Sequence, residues 1–184
     1  LLKEYGLNED GDRFTDGDQF AAAIGDFAHG GFKANAVSTV TSKNPLSGQT
    51  LNAGFTIHLE VYVNSNTLWA PIVSINKEGG NGHLSILLGN NGIQVSYNDW
   101  AGNFIDISTG ITPVVGQALR ITVSVTNDGN VAIYVNDEAV VLTNNVILNY
   151  SNLSSDETWS LITFFGGGNP TFWENLFDGY IQSC

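Results

Sequence analysis

The chain is short of positive charge, and this shortage excludes several classes of partner. Six residues are Lys or Arg and 18 are Asp or Glu, which gives a formal net charge of -12. Such a protein repels phosphate groups, so we expect no nucleic-acid partner. Charged residues of either sign make up only 13% of the sequence. Asn, Ser, Thr and Gly must therefore supply much of the polar surface, which is common in extracellular β-proteins and carbohydrate binders.

Methionine is absent, including at position 1, and the single cysteine is Cys184 at the last residue. A chain without an initiating Met is expected to be a processed product or an excised fragment. A single Cys allows no disulfide within the chain, so packing must supply the stability. The apolar runs are far shorter than the ~20 residues of a transmembrane helix, so we expect no membrane insertion. A secreted or cell-surface location fits this composition.

The clearest structural pattern lies in the segment 120–140. Apolar residues occupy every second position on both sides of the turn sequence Asn127-Asp128-Gly129-Asn130. Such turns need a backbone with φ > 0, which Gly adopts without steric cost and Asp or Asn tolerate. The pattern predicts a β-hairpin whose alternate side chains face one core. Those side chains are Ile121, Val123, Val125, Val131, Ile133 and Val135.

Other segments repeat this alternation of apolar and polar residues. The strongest is 55–63, and a second hairpin is predicted around the turn Gly89-Asn90-Asn91-Gly92. Further strands are predicted over 71–75, 83–88, 93–97, 104–107, 159–165 and 177–182. Many short strands with hardly any helix signal predict an all-β fold, a β-sandwich of two packed antiparallel sheets.

No internal repeat and no linker divides the sequence, so residues 1–184 are predicted to form a single domain. The first part is rich in Gly, Asp and Ala and shows little alternation, so 1–43 is predicted as a less regular N-terminal arm. Within it, 1–7 predicts a first edge strand and 18–27 predicts a short helix or an extended crossing segment. The regular core is predicted over 44–182.

Four segments in order resemble one known superfamily. They are NPLSGQTLNAGFTIHLEVYV at 44–63, QVSYNDWAGNFIDI at 94–107, the hairpin 120–136 and GGNPTFWENLFDGYI at 167–181. Together they are similar to laminin-G-like domains of the concanavalin A-like lectin/glucanase superfamily, of the kind found in Bacteroidetes surface proteins. The resemblance implies a jelly-roll sandwich, a fold that serves lectins, adhesins, hydrolases and structural domains. Two positions depart from the pattern, Glu60 where Trp is usual and Asp137 where Gly is usual.

The loop after the second hairpin holds the best candidates for ligand binding. It combines two aromatic rings with amides and a carboxylate, which can stack on a sugar and bond its hydroxyls. We predict a shallow glycan site in which Trp100 stacks on a sugar ring. The predicted ligand-binding residues are Tyr97, Asn98, Asp99, Trp100 and Asn103. The alternative is that the aromatics belong to the core and the polar residues form an ordinary turn. Trp69 and Trp173 are further aromatic candidates.

An acidic stretch near the start of the chain indicates a calcium site. Asp10, Asp12 and Asp16 cluster oxygen donors, which suits Ca²⁺, although their spacing does not match the helix-loop-helix calcium motif. The superfamily resemblance implies that an Asp near the last strand, here Asp178, completes such a site. The alternative is a solvated acidic loop.

The sequence offers little support for catalysis. His29, His58 and His83 lack a zinc-binding spacing, and no nucleophile elbow or phosphate-binding loop occurs. The E-x-D-x-E strand of the related glucanases, which supplies paired carboxylates, is absent. We therefore expect a noncatalytic extracellular glycan-binding or adhesion domain. One alternative is a self-assembling structural subunit of a fibre or surface layer, and another is a glycoside hydrolase-related enzyme whose carboxylates converge from distant strands.

Overall fold

The computed structural model describes residues 24–28, 31–34, 40–43, 54–77, 82–99, 102–142, 146–150, 161–164, 175 and 177–183. These residues form strands, turns and loops, arranged as two antiparallel sheets. Among them, no helix is long and apolar enough to cross a membrane. The predicted all-β sandwich is confirmed.

The first sheet has seven described strands, in the spatial order β1-β2-β13-β4-β9-β10-β11. Their bounds are β1 Ile24–Ala28, β2 Gly31–Ala34, β4 Phe55–Val63, β9 Ala118–Val125, β10 Val131–Val135, β11 Glu138–Ala139 and β13 Gly179–Ser183. In β4 and β9 burial alternates along the strand. One face of this sheet therefore packs on the core while the other faces solvent.

The second sheet has six described strands, in the order β3-β12-β5-β6-β7-β8. Their bounds are β3 Val40–Lys43, β12 Leu161–Phe164, β5 Ala70–Asn76, β6 His83–Gly89, β7 Gly92–Asn98 and β8 Phe104–Ser108. Every position of β5 and β6 is buried, so both faces of these two strands are shielded from solvent. The edge strand β8 is instead largely exposed.

The hydrophobic core contains alternate residues of both sheets. In β9 and β10, Val125 pairs with Val131, and Gly129 in the connecting turn adopts φ +82°. Five of the six hairpin residues predicted to face inward are at most 5% exposed, and Val131 is partly buried against the same core. The predicted hairpin and its inward face are thus confirmed.

The second predicted hairpin is also confirmed, as β6 and β7 joined at Asn90 and Asn91. Gly89 pairs with Gly92, which adopts φ +87°. A Cβ on Gly92 would lie 2.3 Å from the backbone oxygen of Ile111, so only glycine lets the following loop pack against this turn.

The N-terminal region contains three strands that sequence alternation did not predict. β1 and β2 form a hairpin, β2 pairs with β13, and β3 pairs with β12, so residues 24–43 contribute to both sheets. The predicted short helix is wrong at residues 24–27, because β1 begins at Ile24; the extended alternative is correct there. Pairing with neighbouring strands outweighs a weak local pattern. The edge strand predicted over 1–7 lies outside the described residues.

Candidate functional site

The loop predicted to bind a ligand lies at one end of the six-stranded sheet, between β7 and β8. β7 ends at Asn98, β8 begins at Phe104, and these two residues are direct partners in the antiparallel ladder. Direct partners present their side chains on the same face, with Cβ atoms about 5 Å apart. The Asn98 amide and the Phe104 ring are therefore neighbours. We refer to Asn98, Asp99, Gly102, Asn103 and Phe104 as the Asn98 rim.

The carboxylate of Asp99 closes the loop. Its Oδ1 accepts a hydrogen bond from the backbone N–H of Asn103 at 3.1 Å, and its Oδ2 accepts one from Asn103 Nδ2 at 2.5 Å. The backbone N–H of Asp99 donates to Asn103 O at 3.2 Å. Asp99 is only 5% exposed, whereas Asn103 is exposed. Asp99 thus fixes the position of Asn103, and Asn103 presents a polar group to solvent.

Tyr97 requires a correction, because its ring cannot stack on a ligand. The side chain is fully buried in the core, and its hydroxyl donates a hydrogen bond to the backbone oxygen of Asn149 at 2.8 Å. The reason is alternation along β7, which turns Tyr97 inward with Val95 and Ile93. Burial, and to a lesser extent the negative charge of Asp99, raise the pKa of the Tyr97 phenol.

Phe104 is an aromatic residue at this site that the sequence analysis missed. Its side chain is 65% exposed, compared with 38% for Tyr134 and 37% for Trp69. The strand sequence Phe-Ile-Asp-Ile-Ser indicates this exposure. Side chains alternate between the two faces of a strand, so Phe104 lies on the same face as Asp106 and opposite to the two isoleucines. An aromatic residue in phase with a carboxylate on an edge strand is expected to face solvent.

Gly102 leaves the loop open to a ligand. It adopts φ +110°, and a Cβ added to it would meet no heavy atom within 4 Å. A molecule on this side of the loop can therefore approach the backbone directly, next to Asn103 and Phe104.

The carboxylates beside the Asn98 rim are those of Asp99 and Asp106, while the cation Lys77 lies at the same end of the sheet, beyond β6. Asp106 lies two residues after Phe104 on the same face of exposed β8, about 7 Å along the strand. Gln94 Nε2 donates a hydrogen bond to Asp106 Oδ1. On the neighbouring strand, buried His83 places its Nε2 3.2 Å from Ser96 Oγ. The carboxylates of Asp99 and Asp106 therefore flank a surface of amide and aromatic groups.

Three of the five predicted ligand-binding residues come together in this arrangement. Asn98, Asp99 and Asn103 occupy one loop end, Tyr97 lies in the core, and Trp100 lies outside the described residues. The stacking role predicted for Trp100 stays a prediction.

Of the four predicted calcium ligands, only Asp178 lies within the described residues. Asp10, Asp12 and Asp16 lie outside the described residues. Asp178 Oδ1 accepts a hydrogen bond from Asn64 Nδ2 at 3.2 Å, and the Asp178 backbone oxygen accepts one from the Asn64 N–H at 2.9 Å. Over the ranges that can be described, no three acidic, His or Cys side chains form a metal-binding group. One carboxylate falls far short of the six to eight oxygens that calcium takes.

A concave surface of about 240 Å³ lies on the seven-stranded sheet, away from the Asn98 rim. The described residues that line it are Glu60, Ala118, Leu119, Arg120 and Asn136. Arg120 forms a salt bridge of 2.5 Å with Asp137, and Asn136 Oδ1 accepts a hydrogen bond from the Arg120 N–H. These described lining residues include no aromatic ring, whereas another concave surface of this sheet, of about 350 Å³, includes Tyr134. Tyr134 is 38% exposed and Phe104 is 65% exposed, so the Asn98 rim offers the more accessible ring for binding a sugar.

The protein is thus a two-sheet β-sandwich, and the loop between β7 and β8 carries amide groups beside an exposed aromatic ring. Comparison with protein-family models and with curated proteins finds no match. Solved structures of the same fold include domain 4 of AbnA, a GH43 extracellular arabinanase from Geobacillus stearothermophilus, in complex with arabinotriose. That domain is 17% identical, with a TM-score of 0.65 over 86% of this chain and 70% of that chain.

Two sialidases also contain a similar sandwich. The CBM40 of the Ruminococcus gnavus IT-sialidase, bound to α2,3-sialyllactose, is 16% identical, with a TM-score of 0.55 over 72% of this chain and 74% of that chain. The NanB sialidase from Streptococcus pneumoniae is 19% identical, with a TM-score of 0.55 over 77% of this chain and 23% of that chain. These likenesses confirm the β-sandwich fold.

Proposed function

We propose that this protein is a noncatalytic glycan-binding domain that binds through the Asn98 rim. The observation that carries the proposal is the pairing of Asn98 with Phe104, which sets an amide beside a ring that is 65% exposed. A flat exposed ring packs on the C–H face of a sugar, and amides donate to and accept from its hydroxyls.

Each residue of the Asn98 rim has a distinct role in this proposal. Phe104 stacks on a sugar ring, while Asn98 and Asn103 bond hydroxyl groups. Asp99 is a positioning residue that acts through its two hydrogen bonds from Asn103. Gly102 leaves room for the ligand to reach the backbone. Because Asp99 holds Asn103 in place before the ligand arrives, Asn103 loses little conformational entropy on binding.

The structural neighbours support a glycan as the ligand. One of them was solved with arabinotriose and another with α2,3-sialyllactose, both bound to β-sandwiches of this fold. The low proportion of charged residues fits the same function, and a secreted or cell-surface location is part of the proposal. That the binding is noncatalytic is part of the proposal, and it is supported at the rim by the hydrogen bonds of Asp99 with Asn103 and of Asp106 with Gln94.

Electrostatics favour an uncharged glycan over an acidic one. Asp99 and Asp106 flank the Asn98 rim, and the whole chain carries a formal net charge of -12. A sialic acid carboxylate would meet repulsion there at distances shorter than the ~8–10 Å over which physiological salt screens charges. We therefore expect lactose or arabinotriose to bind better than α2,3-sialyllactose.

The affinity should be low, because a small wet site buries little surface. A dissociation constant on the order of 10 μM to 1 mM corresponds to roughly -7 to -4 kcal/mol. Screening on a glycan array, followed by calorimetric titration of the best uncharged oligosaccharide, tests the proposal. The Phe104→Ala variant should weaken binding about tenfold, or ~1.4 kcal/mol.

Tyr134→Ala is the matched control, since Tyr134 is an exposed aromatic residue on β10 of the other sheet. It should leave the affinity unchanged. If Phe104→Ala binds like the parent while Tyr134→Ala loses binding, the site lies on the seven-stranded sheet and the assignment to the Asn98 rim is wrong.

A further inference from the structure

Three loops meet at the end of the six-stranded sheet opposite the Asn98 rim. Asn66 Nδ2 donates to Pro113 O at 2.9 Å, and the Trp69 N–H donates to Leu88 O at 2.7 Å. The N–H of Gly110 donates to the backbone oxygen of Asn91 at 3.0 Å. These bonds join loops 64–69, 89–92 and 109–117 into one surface, which we call the Trp69 rim.

The Trp69 rim concentrates exposed apolar side chains. Among the residues whose burial the structure describes, nine large hydrophobic residues are exposed, and five of them lie here. They are Leu68, Trp69, Ile111, Val114 and Val115, with exposed fractions from 37% to 59%. Isolated exposed apolar residues are ordinary, but a contiguous group of them marks an interaction surface.

Trp69 adopts a backbone conformation that a bulky residue rarely takes. Its φ is +58°, in the left-handed region, and its ring is 37% exposed. This conformation costs an L-residue roughly 1–2 kcal/mol, and it persists where the surrounding structure enforces it. The chain therefore holds an aromatic residue at the surface in a strained conformation, although glycine would fit there without strain.

The three loops of the Trp69 rim carry uncharged polar groups, and one carboxylate borders them, because Asp178 Oδ1 accepts a hydrogen bond from Asn64 Nδ2 in loop 64–69. The three loops contain no Asp, Glu, Lys, Arg or His, although 18 acidic residues occur in the chain. Asn90 and Asn91 are exposed, and their side-chain amides make no hydrogen bond in the described structure. Because the charge bonded to these loops is the Asp178 carboxylate, the surface disfavours anionic partners. Free amides beside an aromatic ring suit a ligand with many hydroxyls and apolar C–H faces.

We propose that the Trp69 rim is a second binding surface for an uncharged saccharide, so that one chain can hold two glycans at once. The class of ligand rests on the proposed function, whereas the location rests on the exposed and strained Trp69. Trp69 stacks on a sugar ring, and Asn90 and Asn91 bond its hydroxyls.

The positions of the two rims make the protein a cross-linker. In β6, His83 pairs with Asn98 at one end and Gly89 pairs with Gly92 at the other. Six residues along this strand span about 20 Å. Two sugars at opposite ends of one sheet cannot belong to the same short oligosaccharide. Two saccharide chains are therefore joined, which is the activity that an adhesion domain requires.

Calorimetric titration with arabinotriose and with lactose, together with precipitation of a long uncharged polysaccharide, tests the inference. The parent chain should bind two oligosaccharides and precipitate the polysaccharide. Trp69→Gly removes the ring and relieves the backbone strain, so this variant is expected to fold. It should bind one oligosaccharide and lose precipitation. Phe104→Ala should weaken the other site, and the double variant should lose measurable binding.

Asn90→Ala is a second, milder variant of the same surface and should also weaken one of the two sites. Tyr134→Ala, in which a residue of similar exposure (38%) is removed, should keep two sites. A parent chain that binds one oligosaccharide, lost on Phe104→Ala and kept on Trp69→Gly, overturns the second site and leaves the proposed function standing. Binding to no uncharged saccharide overturns both. A dimer of the parent chain that Trp69→Gly dissociates shows that the surface holds a second copy instead.

Discussion

Asp99 shows how a single residue can join the fold to the candidate site. Its side chain is almost fully buried, yet both of its oxygens accept hydrogen bonds from Asn103, which is exposed. A carboxylate in this position is stable because the loop supplies donors for it. The negative charge of Asp99 also affects a residue of the core, because it adds to the effect of burial in raising the pKa of the Tyr97 phenol.

Tyr97 gives a prediction with a defined pH dependence. In the unfolded chain a tyrosine titrates near pH 10, whereas burial and Asp99 raise the pKa of Tyr97 in the fold. Below about pH 10 the phenol is neutral in both states and adds no pH dependence. Above it, the unfolded chain releases the proton first, so the free energy of unfolding falls by up to ~1.4 kcal/mol per pH unit.

Tyr97→Phe should lose its stability disadvantage relative to the parent as the pH rises. Near neutral pH the variant should be less stable by about 0.5–1.5 kcal/mol, because it loses the hydrogen bond to Asn149. Between about pH 10 and 11 this difference should shrink, since phenylalanine does not titrate. Urea unfolding at both pH values measures the effect. A constant difference would show that the Tyr97 phenol ionises as readily in the fold as in the unfolded chain.

At the scale of elements, the inward face of β9 and β10 gives the most direct test of the sandwich. Val123 is 1% exposed in the core, whereas Ala132, on the adjacent strand, faces solvent. Val123→Asp places an unpaired charge in the core and should cost more than ~3 kcal/mol, a large part of the stability of most domains. Ala132→Asp is the matched control and should melt within a few degrees of the parent. A soluble Val123→Asp variant with an unchanged melting temperature would contradict the assigned faces.

The elements that could be predicted from the sequence are those with strong local alternation. Segments 55–63 and 120–140 were predicted because period-2 spacing and a turn with glycine agree with each other. Strands β1 to β3 could not be predicted, because their local sequence is weakly patterned and pairing with β13 and β12 forms them. Long-range pairing of this kind leaves no signal in a local window.

The loop that carries the candidate site was predicted from the sequence, whereas the binding role of that loop stays a prediction. The turn chemistry of Asn98, Asp99 and Asn103 located the loop, while Tyr97 was misplaced because alternation along β7 was not applied to its last residues. The spacing of Phe104 and Asp106 was visible in the sequence, but Phe104 was missed because only the strand order shows that β8 is an edge strand. The position of a loop can be predicted from local sequence, whereas the exposure of a strand residue such as Phe104 depends on where its strand lies in the sheet.

At the scale of the whole molecule, calcium binding remains a prediction from the sequence. If calcium binds the folded chain, it should stabilise the fold by about 2.7 kcal/mol at a free concentration ~100 times the dissociation constant. Melting with and without a chelator measures this effect, and Asp10→Asn combined with Asp12→Asn should abolish it. If the chelator leaves the melting temperature unmoved, the acidic stretch is a solvated loop.

Chemical-shift mapping by NMR during titration with arabinotriose tests the central claim most directly, because it locates a ligand without a variant. The amides of Asn98, Gly102, Asn103 and Phe104 should shift together and saturate with one dissociation constant. Thr122 and Tyr134, on the outer face of the seven-stranded sheet, should not move. Shifts confined to that outer face, or no saturable shift with any uncharged oligosaccharide, would contradict glycan binding at the Asn98 rim.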